Sequence, residues 1–342
     1  MRGLTGLLLV LLLAACGKPP VQVQESFVFG TRVEVLVAEA DAAKAKAAAA
    51  AVLREFDRLH RTYHAWQPSE LTALNAAIAA GKAHAVAPEL AGFIADAQAM
   101  TTAGERLFDP GIGELVRLWG FHSEEFRAAL PDPAALTAWR AAAPSILDLQ
   151  LEGNTVRSRK RAVALDFGGY LKGVALDRAA AALREAGVHN ALINIGGNVM
   201  ALGSKHGEPW RVGIQHPRQP GALATLQLHD GEVIGTSGDY QRFFELDGKR
   251  YCHLLDPRSA EPVTHTQSLT VLIRGGAQAG MRSDASSKPL FIGGRQEWGR
   301  LARELGVADV LRVDADGRLQ ATRGFAGRLK FEPGVPAPEI IE

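Results

Sequence analysis

The sequence predicts an α+β fold, with a mixed, largely antiparallel sheet and helices packed on its faces. Three observations lead to this prediction. Alanine-rich segments with apolar residues at helical spacing come early in the chain, strand and helix signals then alternate, and strand signals dominate residues 210–273. With 342 residues, the chain is long enough for one large domain or two closely joined lobes.

The predicted helices follow mainly from apolar spacing and from capping residues. Residues 41–60 form the first helix, and Ser69 is the N-cap of a second that ends near Ala80, since serine accepts hydrogen bonds from first-turn amides. Pro88 opens a third helix. Further helices are predicted in three later segments: from Lys172 onward, over residues 281–292 and over residues 297–305.

Runs of strand-favouring residues between turn signals predict the strands. The strongest hairpin signal is Asp247-Gly248, which joins residues 243–246 to residues 250–255. The other predicted strands and hairpins are residues 27–37, short strands within residues 147–166 broken at Gly153-Asn154, a buried strand over residues 191–195, and a final hairpin around residues 314–317.

The N-terminus predicts export. Met1-Arg2 is a short basic start, residues 4–13 are apolar but too short to span a bilayer, and Leu-Ala-Ala-Cys16 follows directly. This pattern resembles a bacterial lipoprotein signal, which implies cleavage before Cys16, lipid on that cysteine and a tether to a membrane facing the periplasm. Gly17 replaces the aspartate associated with inner-membrane retention, which favours the outer membrane over the inner one. The alternative is an ordinary secretory signal with an incidental cysteine.

Cysteine count and charge restrict the possible bonds and partners. The only other cysteine is Cys252, so a lipidated Cys16 leaves no intramolecular disulfide and the fold must rely on its core. The formal net charge is +1 and the chain has no long basic run, which argues against nucleic acid as a partner.

A phosphate site is predicted within residues 164–177. There an apolar run ends in Asp166, a glycine pair follows, and Lys172 opens an alanine-rich helix. Glycines let the main chain approach a ligand closely, and the first amides of a helix favour an anion. Lys172 adds a full positive charge. The spacing matches neither the dinucleotide-binding fingerprint nor the Walker loop.

Eight segments in a fixed order extend this pattern across the chain. They are Phe29-Gly-Thr31, Tyr63 with Ser69-Glu-Leu71 and Asn75, Phe108-Asp-Pro110 with Leu118-Trp-Gly-Phe121, Asp166-Phe-Gly-Gly-Tyr-Leu-Lys-Gly173, Asn194-Ile-Gly-Gly197, Thr236-Ser-Gly-Asp239, His253-Leu-Leu-Asp-Pro-Arg258 and Ser283-Asp284. As a set they resemble the FAD:protein FMN transferase (ApbE) family, over about residues 27–294.

The resemblance implies an activity and a domain layout. Members of this family cleave FAD at its diphosphate and attach FMN through a phosphoester to a threonine or serine of a target redox protein, releasing AMP, with a divalent metal, usually Mg²⁺, as an aid. The implied layout is a lipoprotein signal peptide over residues 1–15, a tether over 16–26, an ApbE-like flavin transferase domain over 27–331 and a tail over 332–342. Two alternatives are a non-transferring FAD-binding carrier or scaffold and an FAD pyrophosphatase.

The resemblance also implies which residues form the site. His253 is the candidate general base, since an imidazole near neutrality can take a proton from an attacking hydroxyl, and Asp284 is the second catalytic residue. The residues implied to contact FAD are Phe29, Tyr63, Leu107, Phe108, Asp109, Asp166, Lys172 and Leu254. In this set Tyr63 stacks on a ligand ring and Lys172 lies near phosphate, whereas core packing explains Phe29, Leu107 and Leu254 equally well.

The implied metal site combines a main-chain carbonyl near Gly169, the carboxylate of Asp284 and a threonine hydroxyl four residues later. In this chain the last position is Lys288, and a protonated ammonium cannot ligate a metal. Three outcomes are open: Ser286 or Ser287 supplies the oxygen, water takes its place, or Lys288 replaces the metal as a fixed positive charge. A plain i,i+4 ion pair between Lys288 and Asp284 is the simplest alternative.

Overall fold

The computed structural model describes residues 20–123, 125 and 127–342, so the predicted signal peptide and Cys16 lie outside the described residues. The strands are β1 Gln22–Val28, β2 Thr31–Val37, β3 His84–Ala85, β4 Leu149–Glu152, β5 Thr155–Ser158, β6 Ala191–Ile195, β7 Asn198–Leu202, β8 Trp210–Gln215, β9 Ala222–Leu228, β10 Val233–Gly238, β11 Phe243–Leu246, β12 Lys249–Cys252, β13 Leu255–Asp256, β14 Glu261–Pro262, β15 Thr266–Ile273, β16 Asp309–Asp314, β17 Leu319–Thr322, β18 Lys330–Phe331 and β19 Glu339–Ile341. The helices are α1 Ala42–Thr62, α2 Glu70–Ala79, α3 Pro88–Ala103, α4 Gly113–Leu118, α5 Pro133–Ala142, α6 Leu171–Glu185, α7 Ala279–Glu304 and α8 Arg323–Ala326, with a 3-10 helix at Ile146–Asp148.

A nine-stranded sheet forms the centre of the protein, in the order β1-β2-β6-β7-β10-β15-β16-β17-β19. Neighbouring strands are antiparallel except β17 and β19, which are parallel. Smaller sheets flank it: β8, β9 and β18 form one, β3, β4 and β5 another, and β11–β12 and β13–β14 are hairpins. The predicted fold, a mixed and largely antiparallel sheet with helices on it, is confirmed.

Both faces of the central sheet are covered, because side chains alternate along each strand. On one face, Val271 and Ile273 of β15 belong to the larger core, which they share with α1, α6 and α7. On the other face, Leu272 of the same strand packs in a second core with Trp210 and the β8–β9 layer. The helix pair α6 and α7 is in contact, and α7 also packs on β10 and β15. This arrangement holds the starts of both helices against the sheet.

The first predicted strand is a hairpin. Within residues 27–37, Phe29 and Gly30 have φ values of 57° and 67° and form the turn between the antiparallel strands β1 and β2. A phenylalanine in the left-handed region gives no sequence signal for a turn. Because β1 begins at Gln22, residues 22–26, assigned to the tether from the sequence, are paired with β2.

The C-terminal part agrees with one prediction and departs from another. Gly294 has φ 65° and ψ −168°, so α7 consists of two helical segments, as predicted for residues 281–292 and 297–305. Residues 339–341, predicted to lie in the tail, form β19 and extend the central sheet.

Two further observations concern covalent links and membranes. Cys252 is buried and carries no disulfide, and burial raises the pKa of its thiol to about 12. Within the described residues, every helix is too short or too polar to cross a bilayer.

Candidate functional site

The glycine pair before α6 forms a tight turn, which the side chains of Asp166 and Lys172 close. The Asp166 Oδ1 atom accepts a hydrogen bond from the Gly168 amide at 2.8 Å, and the Lys172 Nζ atom donates to the Gly168 carbonyl at 2.7 Å. A Cβ atom on Gly169 would lie only 3.2 Å from Lys288 Cε and 3.9 Å from the Phe108 ring. A side chain here would need only a small shift of the flexible Lys288 stem, and Lys172 lies beside the turn as predicted.

Asp284 of α7 lies at the N-terminus of α6. Its carboxylate is 1% exposed, and Oδ2 accepts from the Gly173 amide in the first turn of α6 at 3.0 Å. Lys172 Nζ is 3.9 Å from the same oxygen, and Lys288 forms an ion pair with Oδ1. Burial alone would raise the pKa of Asp284, but the charges of Lys172 and Lys288 outweigh it and hold that pKa well below its usual range. Asp284 is thus a permanent anion.

The two helices cap each other. While Asp284 accepts from α6, Asp177 of α6 accepts from the Gly280 and Met281 amides at the start of α7, both at 2.8 Å. Carboxylates at helix N-termini are favoured by the free amides and by the helix dipole. Asp177 therefore has a structural task.

Lys288 is not a metal ligand in this arrangement, which departs from its assignment to the implied metal site. Its ammonium donates to the main-chain carbonyl of Asp284 at 2.7 Å as well as to the carboxylate. Burial lowers the pKa of Lys288 to about 8, with the charge of Asp284 opposing that shift, so the side chain is mainly a cation at neutral pH. The Ser287 hydroxyl is already bonded, donating to the Asp284 carbonyl at 2.8 Å and lying 2.8 Å from Ser237 Oγ.

The residues around Asp284 do not fit a magnesium ion. Mg²⁺ needs a near-octahedral shell of oxygen ligands, and the position beside Asp284 holds an ammonium group instead. Within the part of the chain that the structure describes, no group of three or more histidine, cysteine or acidic side chains is placed to hold a metal. We therefore assign no step of the chemistry to a metal.

His253 follows β12 directly, and its ring has a defined tautomer. Its Nδ1 atom is 3.2 Å from the main-chain carbonyl of Arg242. Because a carbonyl only accepts, Nδ1 carries the proton and Nε2 keeps its lone pair. Burial, assisted by the charges of Arg242 and Lys172, lowers the pKa of His253 to about 3. The imidazole is therefore neutral at physiological pH, with one nitrogen able to accept a proton.

Electrostatic coupling shows that four predicted residues share one site. The pKa of His253 is lowered by the charges of Lys172 and Lys288 in addition to burial and Arg242. Burial raises the pKa of Asp166, against the opposing charges of Arg242 and Lys172. Asp284 contacts both lysines. Segments far apart in the sequence are therefore brought together around the start of α6.

Arg242 is a site residue that the sequence analysis missed. Its guanidinium donates to the Phe121 carbonyl at 2.8 Å and lies 5.7 Å from the centre of the Trp66 ring. The nearest atom to a Cβ built on Gly30 is also Arg242 Nη1, at 3.8 Å. Arg242 thus links the β1–β2 turn to the loop after α1, and it adds positive charge beside His253. No local motif surrounds it, so nothing in the sequence distinguishes it.

A row of aromatic rings lies next to Arg242, and most of it was also missed. Phe29 is 5.6 Å from His60, His60 is 4.9 Å from His64, and His64 is 4.8 Å from Trp66, measured between ring centres. His60 lies in the last turn of α1, and His64 lies in the loop just after the end of that helix. Flat rings near positive charge suit a ligand with aromatic rings and phosphate. Phe29 belongs to this row, in agreement with its predicted position.

Two predicted contact residues have other tasks in this structure. Tyr63 is 3% exposed, its hydroxyl donates to Glu89 at 2.6 Å, and its ring packs on Phe93. The Tyr63 ring therefore faces the core and is not placed to stack on a ligand. The Asp109 carboxylate is bonded to the Gly111 amide, the Ile146 amide and the Ser145 hydroxyl, at 2.8, 2.8 and 2.5 Å, and so holds its own loop.

The remaining predicted contact residues are apolar and buried. Leu107, Phe108 and Leu254 all belong to the larger core. Phe108 also lies beside Gly169, so it supports the glycine turn from the core side. For Leu107 and Leu254 the structure gives core packing, which is the alternative that the sequence left open.

Comparison with known proteins identifies the family. The ApbE family profile matches residues 29–311. An FAD:protein FMN transferase of Rhodobacter capsulatus is 41% identical, over 94% of this chain and 61% of that relative, so the chain spans about three fifths of its length. The FAD:protein FMN transferase of Vibrio cholerae is 30% identical, over 91% of this chain and 92% of the relative.

A solved structure agrees with the sequence comparisons. The crystal structure of the ApbE protein of Thermotoga maritima superposes with a TM-score of 0.82 at 27% identity, covering 90% of this chain and 99% of that one. Residues 29–311, which the family profile matches, include the whole of α6 and α7, which carry the site. This chain belongs to the ApbE family.

Proposed function

We propose that this chain is an FAD:protein FMN transferase. It cleaves FAD at the diphosphate, attaches FMN through a phosphoester to a threonine or serine of a target redox protein, and releases AMP. The observation that carries the proposal is the single site in which the neutral imidazole of His253 lies beside Lys172 and Lys288 at a glycine turn. The names of the relatives, FAD:protein FMN transferase, support the same activity.

The reaction can be written with the residues of the chain alone. The acceptor Oγ attacks the phosphorus of the FMN half, the P–O bond to the AMP half breaks, and AMP leaves with the bridging oxygen. The hydroxyl proton passes to Nε2 of His253 and from there to solvent. FAD carries two negative charges. The summed charge of the products, which are the phosphodiester, AMP and the released proton, is the same.

Positive charge for the diphosphate comes from three side chains and one helix. Lys172, Lys288 and Arg242 face the site, and the start of α6 adds partial positive charge. Preorganised positive groups stabilise charge that develops on a leaving phosphate. The rings from Phe29 to Trp66 meet at interplanar angles of 77°, 54° and 89°, and they offer aromatic side chains against which a ring of FAD can pack.

The activity is tested with the full chain in detergent, FAD and a peptide that carries one threonine. We expect a peptide with covalently bound flavin fluorescence, a mass increase of one FMN unit less water, and equimolar AMP by chromatography. A peptide with alanine at the acceptor position is the control. AMP without an adduct would make the chain an FAD pyrophosphatase, and FAD binding without either product would make it a carrier.

The role of His253 is tested by His253→Gln, which keeps a polar side chain of similar size but cannot take the proton. We expect FAD binding to remain and transfer to fall by about 10²-fold or more. His189→Gln, at an exposed position outside the site, is the matched control and should transfer FMN like the original chain. Equal rates for the original chain and His253→Gln would remove His253 as the base.

We further propose that the protein is exported and anchored by lipid on Cys16, facing the periplasm, with the outer membrane favoured over the inner one. The proposal is supported by the sequence of residues 1–17 alone, with Gly17 carrying the preference for the outer membrane. Labelled palmitate should enter the full chain but not Cys16→Ser, and cell fractionation should move that variant out of the membrane fraction. If the original chain takes up no palmitate and is found outside the membrane fraction, an ordinary secretory signal is favoured.

A further inference from the structure

We propose that the ammonium group of Lys288 takes the place of the divalent cation in this chain, so that FMN transfer needs no divalent metal. The inference rests on the proposed transferase function, which it deepens by naming the cation that serves the site. It starts from the misfit between a magnesium shell and the side chains around Asp284.

The geometry fixes the ammonium between α7 and the glycine turn. Lys288 Nζ contacts both the carboxylate and the main-chain carbonyl of Asp284. Its stem runs against the turn, with Cε 3.2 Å and Cδ 3.8 Å from a Cβ built on Gly169. The cation thus lies on Asp284 with its stem against Gly169, so this side chain fills the space between the two residues that the family resemblance assigns to a metal.

The charges already present around Asp284 disfavour a divalent cation at this place. Asp284 contributes one negative charge, and Lys172 and Lys288 each contribute one positive charge within an ion-pair distance of it. A divalent ion at the same place would face two ammonium groups and a single carboxylate. The triad already carries a net charge of the sign that an FAD diphosphate requires.

Lys288 is also held in place. Its side chain is 12% exposed, and the following Pro289 packs against Gly104, where a built Cβ would lie 2.7 Å from the proline ring. Moving the ammonium away would leave the buried Asp284 carboxylate without the cation on its Oδ1 atom. A fixed cation of this kind needs no reorganisation when the diphosphate arrives.

The first test is binding of magnesium, which does not depend on activity. The full chain in detergent, saturated with FAD, is titrated with MgCl₂ by calorimetry, with FAD alone titrated as the blank. We expect no saturable heat for the original chain and one saturable site for Lys288→Thr, which restores the hydroxyl of the family pattern. Saturable binding of one Mg²⁺ by the original chain would overturn the proposal, whatever its transfer activity.

The second test compares the rate of FMN transfer in EDTA with the rate in Mg²⁺. The original chain should form flavinylated peptide at equal rates in both. Lys288→Thr should lose about 10²-fold or more in EDTA and recover with Mg²⁺. A tenfold loss of the original activity in EDTA would overturn the proposal. Absence of adduct in every condition would instead count against the transferase function, while calorimetry would still decide the question of the cation.

Two further variants separate charge from packing. Lys288→Met keeps an unbranched stem without the charge, and we expect it to transfer about 10²-fold more slowly with or without Mg²⁺. Lys82→Thr, at an exposed position that has none of these contacts, should behave like the original chain throughout. Full activity of Lys288→Met in EDTA would contradict the proposal, because it would show that no cation is needed at this position.

Discussion

His253 shows how one side chain can be prepared for proton transfer by its surroundings. The carbonyl of Arg242 fixes the proton on Nδ1, and burial together with nearby positive charge disfavours a second proton. A base with a pKa of about 3 is weak. Its advantage is that the accepting form is fully populated at every physiological pH.

This predicts an unusual pH profile. Protonation of His253 is disfavoured in the folded protein, so its neutral form persists as pH falls through 6.5, the ordinary histidine value, towards a pKa of about 3. We expect kcat/KM for FMN transfer, which reports the free enzyme, to change less than about twofold between pH 7 and pH 5. A fall with a midpoint near 6.5, absent from His253→Gln, would show that the imidazole is solvated and contradict this account.

At the residue scale, the sequence predicts the charged site better than its aromatic surroundings. Asp166, Lys172, His253 and Asp284 all lie in segments that the motifs mark. Lys172 and His253 are at element ends, whereas Asp166 lies in the loop before α6 and Asp284 in the second turn of α7. Arg242 and the rings from His60 to Trp66 are brought to the site by tertiary contacts, for which single-sequence patterns carry no signal. Tyr63 follows the family motif, yet its hydroxyl and ring are used by the core.

At the scale of elements, the pair α6 and α7 is the unit that builds the site. Each helix supplies the carboxylate that caps the other, through Asp177 and Asp284. The close approach depends on Gly173, where a Cβ would lie 2.4 Å from the Gly280 carbonyl and 2.8 Å from Asp284 Cβ. A side chain at position 173 would push α7, and with it the Asp284 carboxylate, away from α6.

Gly173→Ala is therefore expected to damage both stability and transfer. Overpacking of this kind costs about 1–3 kcal/mol, which corresponds to a fall in Tm of at least about 2 °C for a protein of this size. Displacement of Asp284 by even about 1 Å is expected to slow transfer by about 10²-fold. Thermal unfolding and the flavinylation assay measure the two effects.

Gly92→Ala is the matched control for this prediction. Gly92 is an exposed interior residue of α3 with nothing within 4 Å of a built Cβ, so alanine there should stabilise the protein by about 0.5–1 kcal/mol and leave transfer unchanged. A Tm for Gly173→Ala equal to that of Gly92→Ala would show that α6 and α7 are not tightly packed at this point.

The sequence predicts the helices of this unit well but not their pairing. Alanine-rich composition marks α6, and Gly294 separates the two segments of α7 because its φ and ψ are accessible to glycine alone. The contact between α6 and α7 is set by residues about a hundred positions apart, beyond the reach of local patterns. The short helices α4 and α5 were not predicted.

At the scale of the whole molecule, the central sheet begins and ends with segments that the sequence assigned to a tether and a tail. Strand β1 forms one edge through seven pairs with β2, and Val28 at its end is buried in the larger core. Strand β19 forms the other edge. The order of the nine strands depends on long-range pairing, and among the local hairpins of this sheet only the one between β16 and β17 was predicted.

Removal of β1 is expected to weaken the fold. A chain that starts at residue 27, the domain boundary predicted from the sequence, loses most of the β1–β2 hydrogen bonds, each worth about 1 kcal/mol. We expect a loss of at least about 2 kcal/mol, or about 3 °C in Tm, relative to a chain that starts at residue 20. Equal Tm values for the two chains would show that β1 adds nothing to the sheet.

The early start of β1 limits how far the enzyme can stand from a lipid on Cys16. The residues between Cys16 and Gln22 reach about 20 Å at full extension, and the seven residues of β1 add about 23 Å. In the lipid-anchored form that we propose, the Phe29 turn, beside the aromatic row, would lie within about 45 Å of the bilayer. Acceptor hydroxyls would then have to be presented within that distance, which favours loops of membrane-embedded redox subunits over domains that project far into the aqueous compartment.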